Sequence, residues 1–402
     1  MTIYIDITEF VKRRTMTGIQ RVIKEYVQNA LAAHVKIKIL CLNAKEDSFE
    51  LISQDEVMNF FKDVKNYIFL NNEHVDIFNL ENENKVFFEM DSVWYSSLKR
   101  SELYEKLKKS NFKIVNFIYD LIPILFPEFS YKERVENFDS YLSAVYKYTD
   151  FIFFDSYSAQ SDFLELKEKL SIKKNYATKV VYLGSDFILN PLTKTDDYEH
   201  ILLKKYILFV GTIELRKSQD KVLEAFESLT TKYNDLNLVF IGKEGWNVEP
   251  LIEKILKHPL KDKKIFWFEN IEDDVLSSFY KNAFIVTYMS KYEGYGLPIA
   301  ESLNYNNVTI ASKNSSLYEV GQDFVEYVLN GDVTQLVDII SLYHENNQMY
   351  VAKKDYIKTN YKPLSWRDTF NSIQEVFKDE VGLEPKLSKS FKLIDYNQPL
   401  II

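Results

Sequence analysis

The amino-acid sequence predicts an α/β protein of two doubly wound, Rossmann-like domains facing one another across a cleft. Three observations lead there. Short, near-continuous apolar runs such as Phe151-Ile152-Phe153-Phe154 and Tyr206 to Val210 read as strands buried on both faces, the pattern of a parallel sheet. Stretches of helical periodicity alternate with these runs. The alternation breaks over Phe187 to Leu203, a polar stretch holding Pro191, Thr193, Asp196 and Asp197, and then restarts. A chain of 402 residues suits this division. It gives a first domain at residues 1–190, a second at 191–363, and a C-terminal segment at 364–402 whose helix packs back on the first domain before a tail.

Taken in order, Ile3 to Ile7 reads as a strand, followed by a polar loop through Gly18 and an amphipathic helix over Ile19 to Ala33. Val35 to Leu42 is the second strand. The Asn- and Lys-rich stretch from Asn59 to Lys85 reads as an exposed insertion. Lys113 to Asp120 is a strand ending in a loop with Pro123 and Pro127. Phe151 to Asp155 is another, leading through Ser156-Tyr157-Ser158 into a helix near Ala159, and Val180 to Gly184 closes the series. In the second half, strands are expected at Tyr206 to Gly211, Leu236 to Gly242, Lys264 to Phe268, Phe284 to Ser290 and Val308 to Ala311. The helices between them are expected at Gln219 to Tyr233, Pro250 to Lys257, Asp273 to Asn282 and Pro298 to Asn304. Ser365 to Lys378 reads as an amphipathic helix and Val381 to Ile402 as a tail with an apolar end.

Composition narrows the function classes. A net charge of -9 opposes the basic face that a nucleic-acid binder needs. No apolar run reaches the ~20 residues that span a bilayer, and the N-terminus lacks a basic region followed by an apolar core, so the expected location is the cytoplasm. The one cysteine, Cys41, can form neither an internal disulfide nor a thiolate cluster and is expected as a buried strand thiol. With only 10 glycines, each is expected where the backbone needs positive φ or a close approach to a ligand. The histidines, His34, His74, His200, His258 and His344, lie outside the chemistry-bearing loops and read as structural or solvent-facing.

Two loops carry chemistry. Glu293-Gly294-Tyr295-Gly296-Leu297-Pro298-Ile299-Ala300-Glu301 follows a strand. Its glycines allow close backbone approach, and Pro298 is preset for the first turn of a helix whose free N–H groups suit a diphosphate. Carboxylates beside a diphosphate would repel it, so Glu293 and Glu301 read as acceptors for sugar and ribose hydroxyls. The second loop, Gly211-Thr212-Ile213-Glu214-Leu215-Arg216-Lys217, places two cations after a strand, where they could neutralise a diphosphate leaving group. Arg13, Arg14 and Arg21 flank Gly18 in the first half, and opposed basic loops would clamp one anion from both domains.

These loops, with Ile241-Gly242-Lys243-Glu244-Gly245-Trp246, resemble the donor domain of the retaining glycosyltransferases of family 4, which have the GT-B architecture. Thr17 to Arg21, Tyr119 to Pro123, Asp155 to Ser158 and Leu183 to Asp186 match the family's landmarks in the first half, and the resemblance spans about residues 3 to 378. It implies that Glu293 contacts the transferred sugar and Glu301 the ribose, that the Gly296 and Leu297 backbone meets the diphosphate, and that Lys217 and Arg216 balance its charge. It further implies a donor site lined by Gly211, Thr212, Gly242, Lys243, Gly294 and Tyr295, with Ile271 against the base and Gly18 against the donor from the first, acceptor-binding domain. Where many relatives have Arg, this chain has Thr212, and where many have His before the Asp-Leu-Ile-Pro loop, it has Tyr119. Asp120 is the candidate acceptor-orienting group or base.

The implied activity is metal-free, cofactor-free transfer of a hexose, with retention, from a nucleotide sugar (GDP-mannose foremost) to a glycan or lipid-linked glycan of a bacterial surface polysaccharide of O-antigen type. Peripheral contact with the inner membrane follows where the acceptor is lipid-linked. Two alternatives share the fold: an inactive accessory subunit of a partner transferase, and a nucleotide-sugar epimerase. The intact Glu293, Glu301 and Lys217 set argues against the first, and the absence of histidine from the loops against the second.

Overall fold

The computed structural model describes residues 1–43, 48–70, 72–80, 84–186, 196–329 and 331–378. The chain divides into two compact units: Met1–Gly184 together with the segment from Ser365, and Ser185–Leu364. The expected boundary at 190 and the expected tail from Val381 lie outside the described residues. Ser185 belongs with the second unit because its backbone N–H donates to Leu364 O (3.0 Å) and Asn304 Nδ2 reaches its hydroxyl (3.0 Å).

The first unit holds β1 (Thr2–Asp6), β2 (Ile37–Asn43), β3 (Ser48–Ile52), β4 (Glu73–Val75), β5 (Lys85–Glu89), β6 (Phe112–Ile118), β7 (Phe151–Phe154) and β8 (Ala177–Val180). Among the described residues they form one sheet in the order β4-β3-β2-β1-β5-β6-β7-β8. All neighbours are parallel except the edge pairs β2–β3 and β3–β4. Chain order reverses at β1, which lies between β2 and β5. The sequence reading found β1, β2, β6, β7 and β8 but not β3, β4 or β5, and it read Asn59 to Lys85 as an exposed insertion. That insertion is corrected in part. The helix Gln54–Lys62 buries Phe60 and Phe61, and Phe60 packs edge-on against Phe10 at 5.1 Å, while Ile68 and Leu70 stay exposed. Cys41 sits half-buried on β2 rather than in the core, and burial pushes its thiol up to about 12.

The helix Trp366–Lys378 closes one face of this sheet. Its Phe377 meets Phe88 of β5 (5.2 Å) and Phe153 of β7 (5.9 Å), and Gln374 Nε2 donates to Tyr26 Oη (2.8 Å) on the helix Gly18–Ala32. An apolar stripe at helical spacing produces this contact.

The second unit holds β9 (Lys205–Val210), β10 (Leu236–Ile241), β11 (Ile265–Phe268), β12 (Ile285–Tyr288), β13 (Val308–Ser312) and β14 (Glu326–Val328), all parallel, in the order β11-β10-β9-β12-β13-β14. Alternation along β9 explains the two covered faces. Ile207 and Phe209 enter one apolar cluster, with Phe240, Ile285 and Ile299, while Tyr206 and Leu208 enter the opposite one, with Val239, Phe266 and Val286. Order reverses between β9 and β12, and in sheets of this kind ligands bind outside the carboxyl ends of the strands at such a point.

Candidate active site

Both chemistry-bearing loops leave from that reversal point. Beyond β9, Gly211 accepts the close approach of the next strand's loop. A Cβ on Gly242 would lie 2.1 Å from Gly211 O, and Gly242 has φ +155°, so only glycine fits. The two loops are laced further by Ile213 N to Lys243 O (2.8 Å) and Gly245 N to Ile213 O (3.0 Å), and Trp267 Nε1 donates to Gly242 O (2.8 Å). Thr212 presents its carbonyl to Gln219 Nε2 (2.8 Å), while the Lys243 side chain is exposed. The loop ends in the short turn Leu215–Lys217 and in Ser218, whose φ of +55° starts the helix Gln219–Thr230.

Beyond β12, the chain runs through Ser290 to Glu293. The Glu293 carboxylate is a hub. Its Oε1 receives Arg216 Nη1 (2.7 Å), Lys217 Nζ (3.3 Å), Ser290 Oγ (2.7 Å) and Tyr288 Oη (3.2 Å). Lys217 Nζ also donates to Tyr288 Oη (2.8 Å), and Arg216 Nη2 pairs with Glu214 (3.1 Å). The side chains of Glu293, Arg216 and Lys217 are about nine-tenths buried. Burial alone would raise the Glu293 pKa, but the two cations overcome it and hold the carboxyl at about 2. Burial likewise opposes the charge on Lys217 and Arg216, and the Glu293 carboxylate prevails, lifting both above their ordinary ranges. Burial and the same carboxylate push the Tyr288 phenol up to about 12.

The backbone of the turn is pinned from the next strand. Glu293 N donates to Ser315 Oγ (3.0 Å), Ser316 Oγ donates to Glu293 O (3.0 Å) and Tyr295 O (2.8 Å), and Asn314 Nδ2 donates to Ser290 O (2.9 Å). Gly294 and Tyr295 are buried in this turn. Gly296, at φ +102°, reverses the chain into the helix Leu297–Asn304, with Pro298 in its first turn. Glu301, one turn on, is 4% exposed and receives Tyr280 Oη (2.9 Å); Tyr280 stacks on Tyr305. Ile271 packs, half-buried, against the cluster that holds Phe266 and Val286.

Sequence reasoning thus named Glu293, Arg216, Lys217 and Glu301 but missed Tyr288, Ser290, Gln219 and the Asn314-Ser315-Ser316 run. Only a Ser/Asn-rich helix start after β13 could have signalled the last of these. Arg216 and Lys217, expected to balance the charge of a diphosphate, both pair with Glu293. In the first unit Gly18 is exposed at the start of its helix. Arg14 Nη1 is spent on Tyr67 O (2.6 Å), and Arg13 stacks on the Tyr95 ring at 3.9 Å. Tyr119 Oη donates to Met90 O (2.9 Å), and Asp120 Oδ1 accepts from Ile122 N (3.0 Å), which fixes the loop after β6. Among the described residues, no group of His, Cys, Asp and Glu is placed to hold a metal ion, and no helix is long and apolar enough to cross a membrane.

Residues 195–361 match the family described as "Glycosyl transferases group 1". The chain is 30% identical over 262 residues to the serotype-specific mannosyltransferase WbdA of Escherichia coli, covering 63% of this chain and 32% of that protein. It is 26% identical over 290 residues to the O-antigen chain mannosyltransferase RfbU of Salmonella typhimurium, covering 68% and 78%. The chain therefore spans about a third of the length of its WbdA relatives. Among solved structures, Anabaena HepE in complex with UDP-glucose superposes with a TM-score of 0.64 at 12% identity, over 94% of this chain and 99% of that one. The second unit thus matches the glycosyl transferases group 1 model over residues 195–361, in a chain with the GT-B fold.

Proposed function

We propose that the chain is a retaining glycosyltransferase that moves a hexose from a nucleotide-sugar donor, GDP-mannose foremost, to a glycan acceptor in the synthesis of a bacterial surface polysaccharide of O-antigen type. The observation that carries this reading is the Glu293 hub: an ionised carboxylate, two buried cations and a glycine turn into a helix start, all at the carboxyl ends of β9 and β12. The names of the WbdA and RfbU relatives support mannose and O-antigen.

In this reading Glu293 accepts hydrogen bonds from hydroxyls of the transferred sugar and Glu301 from the ribose. The donor diphosphate lies against the Gly296 and Leu297 backbone, with the other expected donor residues around it. The acceptor oxygen forms its bond to the anomeric carbon on the face from which the diphosphate departs, the bond between that carbon and the diphosphate breaks, and the acceptor proton passes to a diphosphate oxygen. Charge is stabilised at the departing diphosphate by Lys217, Arg216 and the helix N–H groups, a role that uses positioning and electrostatics and calls on no metal or cofactor. Where the acceptor is lipid-linked, the chain works at the cytoplasmic face of the inner membrane.

A thermal-shift panel of GDP, UDP, dTDP, CDP and ADP tests the donor half. A ligand at 100 times its Kd adds about 2.7 kcal/mol. Stabilisation by GDP above the others is expected, followed by mannose release or transfer from GDP-mannose. Stabilisation by UDP instead would replace the donor, and no response to any nucleotide would remove the reading.

A further inference from the structure

Tyr288, the last residue of β12, has no part in the reaction written above. It is 2% exposed, and its ring stacks on Phe209 of β9 at 5.7 Å with the two planes 26° apart. Both rings belong to the apolar cluster on one face of the sheet, and close packing there delivers the phenol hydroxyl at a fixed point. That hydroxyl accepts from Lys217 Nζ (2.8 Å) and donates to Glu293 Oε1 (3.2 Å). A phenol has one proton to give, and burial with the Glu293 carboxylate pushes its pKa up to about 12, so the proton stays in place. With its donor and its acceptor side both engaged by protein, Tyr288 acts on a substrate only through its neighbours.

Lysine carries its charge on a flexible four-carbon stem, so the place of that charge depends on what holds it. The stem of Lys217 runs along Gly211, where a Cβ would lie 3.3 Å from both its Cδ and its Nζ. At the tip, Nζ has two acceptors among the described residues, Tyr288 Oη at 2.8 Å and Glu293 Oε1 at 3.3 Å. The nearer one is the neutral phenol, although a carboxylate forms the stronger hydrogen bond. The short bond to Tyr288 thus keeps the ammonium off an oxygen that Arg216 Nη1 already holds at 2.7 Å. An ammonium has three N–H groups, and two acceptors leave one of them for a ligand. We propose that Tyr288 is a positioning residue: its hydroxyl holds Lys217 short of full contact with Glu293, so that the third N–H stays available to an oxygen of the departing diphosphate. That role rests on the transferase reading above; the placement of the ammonium does not.

Tyr288→Phe keeps the ring and its stack on Phe209 and removes only the hydroxyl. In crystals of that variant Lys217 Nζ is expected to close on Glu293 Oε1, and an Nζ that keeps its place overturns the proposal. With a nucleotide sugar as substrate, kcat is expected to fall by about tenfold or more at a nearly unchanged KM, because the charge that Lys217 meets grows as the diphosphate departs. A raised KM with kcat unchanged, or a kcat within about twofold of the parent protein, overturns it. A double-mutant cycle with Lys217→Met separates positioning from packing. In the Lys217→Met background, Tyr288→Phe is expected to change kcat by less than about twofold, since no ammonium remains to be placed. An equal loss in both backgrounds would mean that Tyr288 serves the fold and not Lys217. A parent chain that neither hydrolyses nor transfers from any nucleotide sugar defeats the transferase reading alone, because the place of Nζ is read from crystals without turnover.

Discussion

A single carboxylate oxygen organises the second unit's site. Glu293 Oε1 gathers four donors from two segments, the turn Leu215–Lys217 and the end of β12 with Ser290, and its negative charge is what keeps Arg216 and Lys217 in place. Glu293→Gln conserves shape and removes that charge, leaving two buried cations with a neutral neighbour. We expect turnover to fall about 10²–10³-fold, and stability to fall by about 3 kcal/mol in a denaturant titration, because breaking a buried pair strands the partner charges. Turnover within a factor of three of the parent protein would remove Glu293 from the reacting centre. The Glu-x7-Glu spacing was legible in the sequence, since a strand, two glycines and a proline frame it. Tyr288, Ser290 and Ser315 were not, because a tyrosine or serine at a strand end has no distinguishing local pattern: the first two reach Glu293 from five and three residues upstream, and Ser315 is brought to it by the pairing of β12 with β13.

Among elements, the loops leaving β9 and β10 are defined by the approach of one backbone to another. Gly242→Ala would put a methyl group 2.1 Å from Gly211 O, and because that obstacle is backbone, both loops must shift. We expect a loss of about 1–3 kcal/mol or more, together with a weakened nucleotide thermal shift; an unchanged denaturation midpoint would show that the loops absorb the methyl group freely. The helix Trp366–Lys378 shows the complementary case, an element far along the chain that covers the first sheet. Phe377→Ala removes a ring packed on Phe88 and Phe153 and should cost about 3–5 kcal/mol. A cost below about 1 kcal/mol would mean that the helix adds little to that core. Its apolar stripe was visible in the sequence, whereas β5, only five residues long, was not. Its first residue, Lys85, closes the Asn- and Lys-rich stretch that reads as an exposed insertion, and Lys85 and Glu89 bracket only three apolar residues.

At the scale of the whole molecule, two sets of buried charges pull stability in opposite directions with pH. In the first unit Arg100 bridges Asp6 (2.6 Å) and Glu89 (2.7 Å), while Glu89 Oε1 has no hydrogen-bond partner among the described residues. Burial, with the Arg100 charge opposing it, raises the Glu89 carboxyl to about 8, and burial raises Asp91 to about 6. A raised folded-state pKa gives stability that is complete below the ordinary value near 4.5 and is lost as pH climbs to about 8. Glu293 acts in reverse: its contribution is complete above 4.5 and is lost as pH falls towards 2. Between pH 4.5 and 8 Glu89 therefore contributes a decline in melting temperature, and Glu89→Gln should flatten that decline by several degrees, since one kcal/mol corresponds to about 2–4 °C in domains of this size. Parallel curves for the two proteins would show that Glu89 holds no proton in this range.

What the sequence by itself determined was the doubly wound class, most of the strands, the restart of the alternation after residue 187, and the two loops that meet at β9 and β12. Each of these is written in local periodicity or in a run of glycine, proline and charge, which the chain carries regardless of what surrounds it. What tertiary structure alone decided was the pairing of those charges. Arg216 and Lys217 read locally as cations awaiting an anion, and the fold supplies one in Glu293, 76 residues beyond Lys217. The energy of a charge or a buried donor depends on its neighbours in space, through desolvation and Coulomb interaction, and strand register, which local periodicity leaves open, chooses those neighbours.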